Sequence, residues 1–98
     1  MKNKKVQNKN QAKSAALSWT DNAWEEYLSW QKDDPFIVAE INGLIEECLR
    51  DPFRGTGKPE PLKYELSGFW SRRINKEHRL VYIPVNGAIC IISCRYHY

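Results

Sequence analysis

The residue types best suited to chemistry lie in the C-terminal part of this 98-residue chain. Glu60 stands between Pro59 and Pro61, Arg72, Arg73 and Arg79 bracket a short turn, and His97 is the penultimate residue. A carboxylate can take a proton, guanidiniums can hold a phosphate, and an imidazole can return a proton near neutral pH. These are the parts that splitting RNA without a metal ion requires.

Each part also has a plainer reading. The prolines fix φ on either side of Glu60 and extend the backbone, which lowers the entropy of aiming its carboxylate. Taken alone, Glu60 still reads first as a surface glutamate in a polar loop. Arg73 and Arg79 flank Asn75–His78 and should meet across that turn. Their rigid donor forks suit phosphate oxygens, whereas the plainer reading pairs one or more of the three arginines with Glu65 or Glu77. On a strand, Arg95 and His97 would share one face and Tyr96 and Tyr98 the other. A lone histidine at a chain end is ordinarily just solvated. Gly55-Thr56-Gly57-Lys58 is not a phosphate loop, because Pro52 and Pro59 occupy the positions that need glycine and Ser or Thr.

The elements that must position these groups follow from pattern. Residues 15–19 read as a short strand. Thr20 or Asp21 caps a helix with Trp24, Tyr27, Leu28 and Gln31 at helical spacing. Asp33-Asp34-Pro35 stops it and starts another, since proline suits the first helical position. In that second helix Ile37, Ile41, Leu44, Ile45, Cys48 and Leu49 form one apolar face, and Asp51-Pro52 ends it. After the loop Arg54 to Pro61, strand-like runs cover 62–66, 69–74, 79–85 and 88–97. Asn86-Gly87 is a two-residue hairpin signal between the last two. Helices must then cover one face of an antiparallel sheet and leave the other available, an α+β architecture. Trp19, Trp24, Trp30 and Phe69 read as core rather than base-stacking groups, while Trp70 points away from Phe69.

Charge is divided along the chain. Residues 1–13 hold five lysines and no acid, a tract too polar to offset its ordering entropy and therefore expected to be a disordered tail. Residues 14–51 carry nine acids and two bases, and residues 52–98 carry eight bases and three acids. The C-terminal half thus builds a basic surface that suits a polyanion. One domain, residues 14–98, is all that this length supports. Cys48, Cys90 and Cys94 are odd in number and have no CxxC spacing, so they read as free thiols in a reducing cytoplasm rather than as disulfides. With only His78 and His97 to join them, no metal site is expected. No apolar run approaches a membrane span, and the lysine-rich start has no signal-peptide core.

From Ala15 to Tyr98 the chain resembles the YoeB/Txe toxins of the RelE-like superfamily. The resemblance rests on Gly57-Lys58-Pro59-Glu60-Pro61-Leu62-Lys63, Leu66–Ile74, Glu77–Tyr82 and Cys94–Tyr98. It implies a RelE-like β-α-α-β-β-β fold, a mainly antiparallel sheet with two helices on one face. It implies a toxin of a type II toxin–antitoxin system, a cytoplasmic, ribosome-dependent endoribonuclease that cuts mRNA in the A site with no cofactor or metal. By the same resemblance Glu60 is the general base, His97 the general acid and Arg79 a phosphate-stabilising group, assisted by Arg73, Lys63 and Tyr98. Lys58, Arg72 and Arg95 are added as RNA-binding candidates. The implied partners are a YefM-like antitoxin, the ribosome and mRNA, and operator DNA only through the antitoxin complex, with room for a homodimer. A non-catalytic inhibitor seated in the A site and a ribosome-independent RNase are the alternatives.

Overall fold

The computed structural model describes residues 16–96. The lysine-rich tail and the candidates His97 and Tyr98 fall outside the described residues. The chain begins with β1 (Leu17–Trp19) and continues into α1 (Asp21–Asp33) and α2 (Pro35–Arg50). Four strands follow: β2 (Glu60–Pro61), β3 (Trp70–Arg73), β4 (Arg79–Val85) and β5 (Ala88–Ser93). The sheet order is β1-β5-β4-β3-β2. All neighbours are antiparallel except β1, which runs parallel to β5. The order is therefore β-α-α-β-β-β-β, one strand more than the order the resemblance implies, because the two-residue β2 adds an edge strand.

The caps explain both helices. The Thr20 hydroxyl accepts from Ala23 N–H and donates to Ile92 O, so one residue ends β1, starts α1 and ties both to β5. Asp34 N–H donates to Trp30 O while its carboxylate accepts from Phe36 N–H, closing α1 and opening α2 at Pro35. From α2, Ile37, Ile41, Leu44, Ile45 and Cys48 pack with Leu80, Tyr82, Ile89 and Ile91 of the sheet. Fully burying such a side chain stabilises by about 1.5–3 kcal/mol, which holds the helices to this face of the sheet.

Several boundaries and faces differ from expectation. Leu49 is 41% exposed, at the rim of the α2 stripe rather than in it. In α1 the buried residues are Ala23 and Trp30, whereas Trp24 and Leu28 stay exposed. The rotation is set by polar ties as well as apolar area, since Trp30 Nε1 donates to Cys94 O at 2.9 Å. The run 62–66 is not a strand. Tyr64 adopts φ 59° and opens a 3₁₀ turn (Tyr64–Leu66), which breaks the extended backbone. β5 stops at Ser93, and Tyr96 has φ 60°, so strand alternation does not extend through Tyr96. The Asn86-Gly87 hairpin forms as read, with φ 51° and 81° and Val85 opposite Ala88. Among the described residues, no helix is long and apolar enough to cross a membrane.

Candidate active site

Side chains directly opposite in a sheet share a face, and alternate residues return to it. Glu60 is opposite Ser71, Ser71 opposite Val81, and Val81 opposite Ser93. Two residues further along β3 and two back along β4, Arg73 stands opposite Arg79. Glu60, Arg73 and Arg79 therefore occupy the face that the helices leave open. The step from the Ser71 row to the arginine row is about 6.6 Å along the strand. Beside them, Leu62, Leu66, Phe69, Ser71, Val81 and Ile92 line a cleft of about 220 Å³. Phe69, expected in the core, is in fact part of this wall.

Backbone bonds specify how the two arginines meet. Arg73 N–H donates outward to Gly57 O, and Arg79 N–H donates the opposite way, to Tyr96 O. Neither points at the other strand, so theirs is a non-hydrogen-bonded pair. That is the arrangement with the shorter Cα separation, about 4.5 Å, and closer side chains. Arg79 Nη1 bonds to the carbonyls of Asn75 and His78, which steadies its guanidinium. The ion pairs among the described residues are Arg72–Glu47 and Arg95–Asp33. Neither Glu65 nor Glu77 takes up these arginines. Lys58 (φ 51°) and Lys63 lie exposed on either side of Glu60.

Arg72, expected on the RNA-facing surface, lies in the core. Its neighbour Arg73 faces out, so alternation turns Arg72 inward, where it is fully buried. Nε donates to the Tyr82 hydroxyl, Nη1 to Thr56 O, and Nη2 to Asp51 O and Arg54 O. Glu47 pairs with it at 3.6 Å and also accepts from Thr56 N–H at 2.8 Å. The Thr56 hydrogen bonds hold the Glu47 carboxyl below its ordinary range, with Arg72 adding to the effect. Tyr82, pushed up to about 12 by burial, donates to Pro52 O at 2.6 Å. One guanidinium thus gathers the loop that leads from α2 to Glu60. Gly57 must be glycine, because φ is 86° and a Cβ would stand 3.0 Å from Arg73 O.

Arg95 is likewise engaged within the fold. It lies over the Trp30 ring, donates to Ser29 Oγ and pairs with Asp33 at 3.0 Å. The preceding residue, Cys94, donates its N–H to Glu26 Oε1 at 2.7 Å. Its thiol is buried and raised to about 12 by that burial, and Cys48 is raised for the same reason. The following residue, Tyr96, donates its N–H to His78 Nδ1 at 2.7 Å. Three consecutive residues are thus gripped by α1 and the β3–β4 turn, immediately before His97.

Sequence reasoning passed over His78 as one more turn residue. It is buried, edge-on to Trp30, and held below the ordinary histidine range by desolvation. Strand alternation across Arg72-Arg73 was the available signal for the buried arginine. For His78 there was no comparable signal. Among the described residues, no three His, Cys, Asp or Glu side chains cluster to hold a metal.

A family model described as the YoeB-like toxin of bacterial type II toxin–antitoxin systems matches residues 19–98. Toxin YoeB of Escherichia coli (strain K12) is 56% identical over 82 residues, covering 84% of this chain and 98% of the relative. Among solved structures, a YoeB/ParE toxin from Agrobacterium tumefaciens aligns with a TM-score of 0.80 at 49% identity, over 84% of this chain and 98% of that one. The toxin in a heterotetrameric YoeB-YefM complex from Staphylococcus aureus aligns with a TM-score of 0.79 at 44% identity, over 84% and 95%.

Proposed function

This chain belongs to the YoeB-like toxins of bacterial type II toxin–antitoxin systems, and from that membership and the open face we propose that it is a ribosome-dependent endoribonuclease. Its substrate is mRNA in the ribosomal A site. Glu60 takes the proton from a ribose 2′-hydroxyl, and the oxygen attacks the adjacent phosphorus in line. Arg79, Arg73 and Lys63 offset the charge that develops on the non-bridging oxygens. His97 protonates the departing 5′-oxygen, and Tyr98 assists. The products are a 2′,3′-cyclic phosphate and a 5′-hydroxyl end.

The observation that carries this reading is the close Arg73–Arg79 pair on the same face as Glu60. Like charges directly opposite in a sheet are unfavourable, and a phosphodiester set between them relieves that repulsion. His97 is joined by one peptide bond to Tyr96, whose carbonyl accepts from Arg79 N–H. That bond supports an acid arriving at the arginine end of the face. The solved YoeB-YefM complex supports a YefM-like antitoxin as partner, one whose acidic segment meets the basic half of this chain.

Ribosomes programmed with a defined message test the reading. Incubation with the protein should yield discrete A-site ends, and Glu60→Ala, Arg79→Ala or His97→Ala should abolish them in folded protein. Stalled translation with intact message would point instead to simple occupation of the A site. Equal cutting of naked RNA would remove the ribosome requirement.

A further inference from the structure

The turn between β3 and β4 does more than reverse the chain. Asn75 Oδ1 accepts from the N–H groups of Glu77 and His78, which fixes the turn and aims the His78 ring inward. There the ring is buried edge-on to Trp30, with centroids 4.7 Å apart, and tilted against Tyr96 at 4.6 Å. Its Nδ1 lies 2.7 Å from the Tyr96 nitrogen, and on the adjoining residue Arg79 N–H donates to Tyr96 O at 3.0 Å. Both backbone polar groups of Tyr96 are therefore held by consecutive residues of β4 and its turn. Tyr96 is also in the left-handed region at φ 60°, which a non-glycine residue keeps only where its surroundings hold it.

We propose that His78 is a positioning residue, whose unprotonated Nδ1 clamps the Tyr96 amide and fixes the backbone direction at the residue that precedes His97. The inference rests on the endoribonuclease reading for its activity readout alone. A hydrogen bond accepted at Nδ1 requires the neutral tautomer with its proton on Nε2. Protonating Nδ1 sets two N–H donors against each other, so the clamp opens in acid. The groups facing the ring are Trp30 from α1, Tyr96 and Arg95 from the chain end, and Glu77 from the turn itself. Burial and Arg95 oppose protonation, and Glu77 favours it. The clamp is therefore intact above the ordinary histidine range and is lost as pH falls below it.

The test uses the full chain with nitrogen-15 label. Near neutral pH, a scalar coupling across the hydrogen bond should connect the Tyr96 amide nitrogen to His78 Nδ1, and it should vanish on titration into acid. In parallel, His78→Leu removes the acceptor, and His78→Asn keeps an acceptor that cannot take a proton. Because displacement of a reacting group by about 1 Å can cost on the order of 10²-fold, His78→Leu should lower single-turnover cleavage by about tenfold or more while ribosome affinity is unchanged. His78→Asn should restore most of the rate and remove the acid-side loss attributable to the clamp. No coupling in the wild-type chain, wild-type cleavage by His78→Leu, or equal impairment in both variants would each overturn the proposal. A wild-type chain that shows the coupling but cuts no message sinks the nuclease reading and leaves the clamp standing.

Discussion

Arg73 and Arg79 stand opposite each other in the closer of the two antiparallel pairings, their backbone N–H groups turned away from each other to Gly57 O and Tyr96 O. Two cations in that relationship cost the free protein stability, roughly 0.2–1 kcal/mol by the scale of cross-strand pairs. Under the proposed function, an RNA phosphodiester would turn the same relationship into a binding site. Function and stability would then pull in opposite directions at these positions.

Replacing either arginine by methionine should leave thermal stability unchanged or slightly raised. Cleavage on programmed ribosomes should fall by about 10²-fold or more, the usual consequence of losing one charge-stabilising donor. Thermal melts and single-turnover cleavage measure the two effects separately. A variant that loses stability and keeps its rate contradicts the assignment.

Arg72→Met should show the reverse signature. It strands the carbonyls of Asp51, Arg54 and Thr56 and leaves Glu47 without its partner. Leaving such an acceptor unsatisfied costs about 1–3 kcal/mol. Denaturant unfolding should report a loss of that order, and any fall in cleavage should track the unfolded fraction. A stable but inactive Arg72→Met would return the residue to the substrate.

Glu60→Gln keeps the side chain's shape and removes its basicity. Glu60 is exposed on a two-residue edge strand, so stability should change by less than about 0.5 kcal/mol. Loss of a general base should slow cleavage by about 10²–10⁴-fold. Cleavage within a few-fold of wild type would remove Glu60 from the reaction.

How much of this was legible depended on whether the signal was local. The α2 stripe as far as Cys48, the Asp34-Pro35 start and the Asn86-Gly87 turn are written in neighbouring residues, and these form as read. Parallel pairing of β1 with β5 depends on residues more than seventy positions apart, and no local pattern announces it. Tyr64 breaks the expected strand through its own φ, which its side-chain type does not reveal. The three arginines look alike in sequence. Their environments separate them: Arg72 in the core, Arg73 and Arg79 on the open face. The clamp on Tyr96 joins turn and chain end only in three dimensions.

The raised thiol and phenol predict an alkaline limit to stability. Burial lifts Cys94 from 9.0 and Tyr82 from 10.0, each to about 12. Folded-state values above the unfolded ones mean that this stability is fully present below pH 9 and is lost as pH rises toward 12. Tyr82→Phe should flatten the upper part of that decline in thermal melts across the range. In the native protein at neutral pH, alkylation followed by mass analysis should label Cys90 before the buried Cys48 and Cys94. Simultaneous labelling of all three would mean that the core opens more readily than its packing implies.

The most direct measurement replaces the ribose at the cut position by its 2′-deoxy form in an otherwise identical message bound in the ribosomal A site. With no nucleophile for Glu60 to deprotonate, that message should remain intact while the ribose control is cut to a cyclic phosphate end. Cleavage of the deoxy message at the control rate would contradict the mechanism outright.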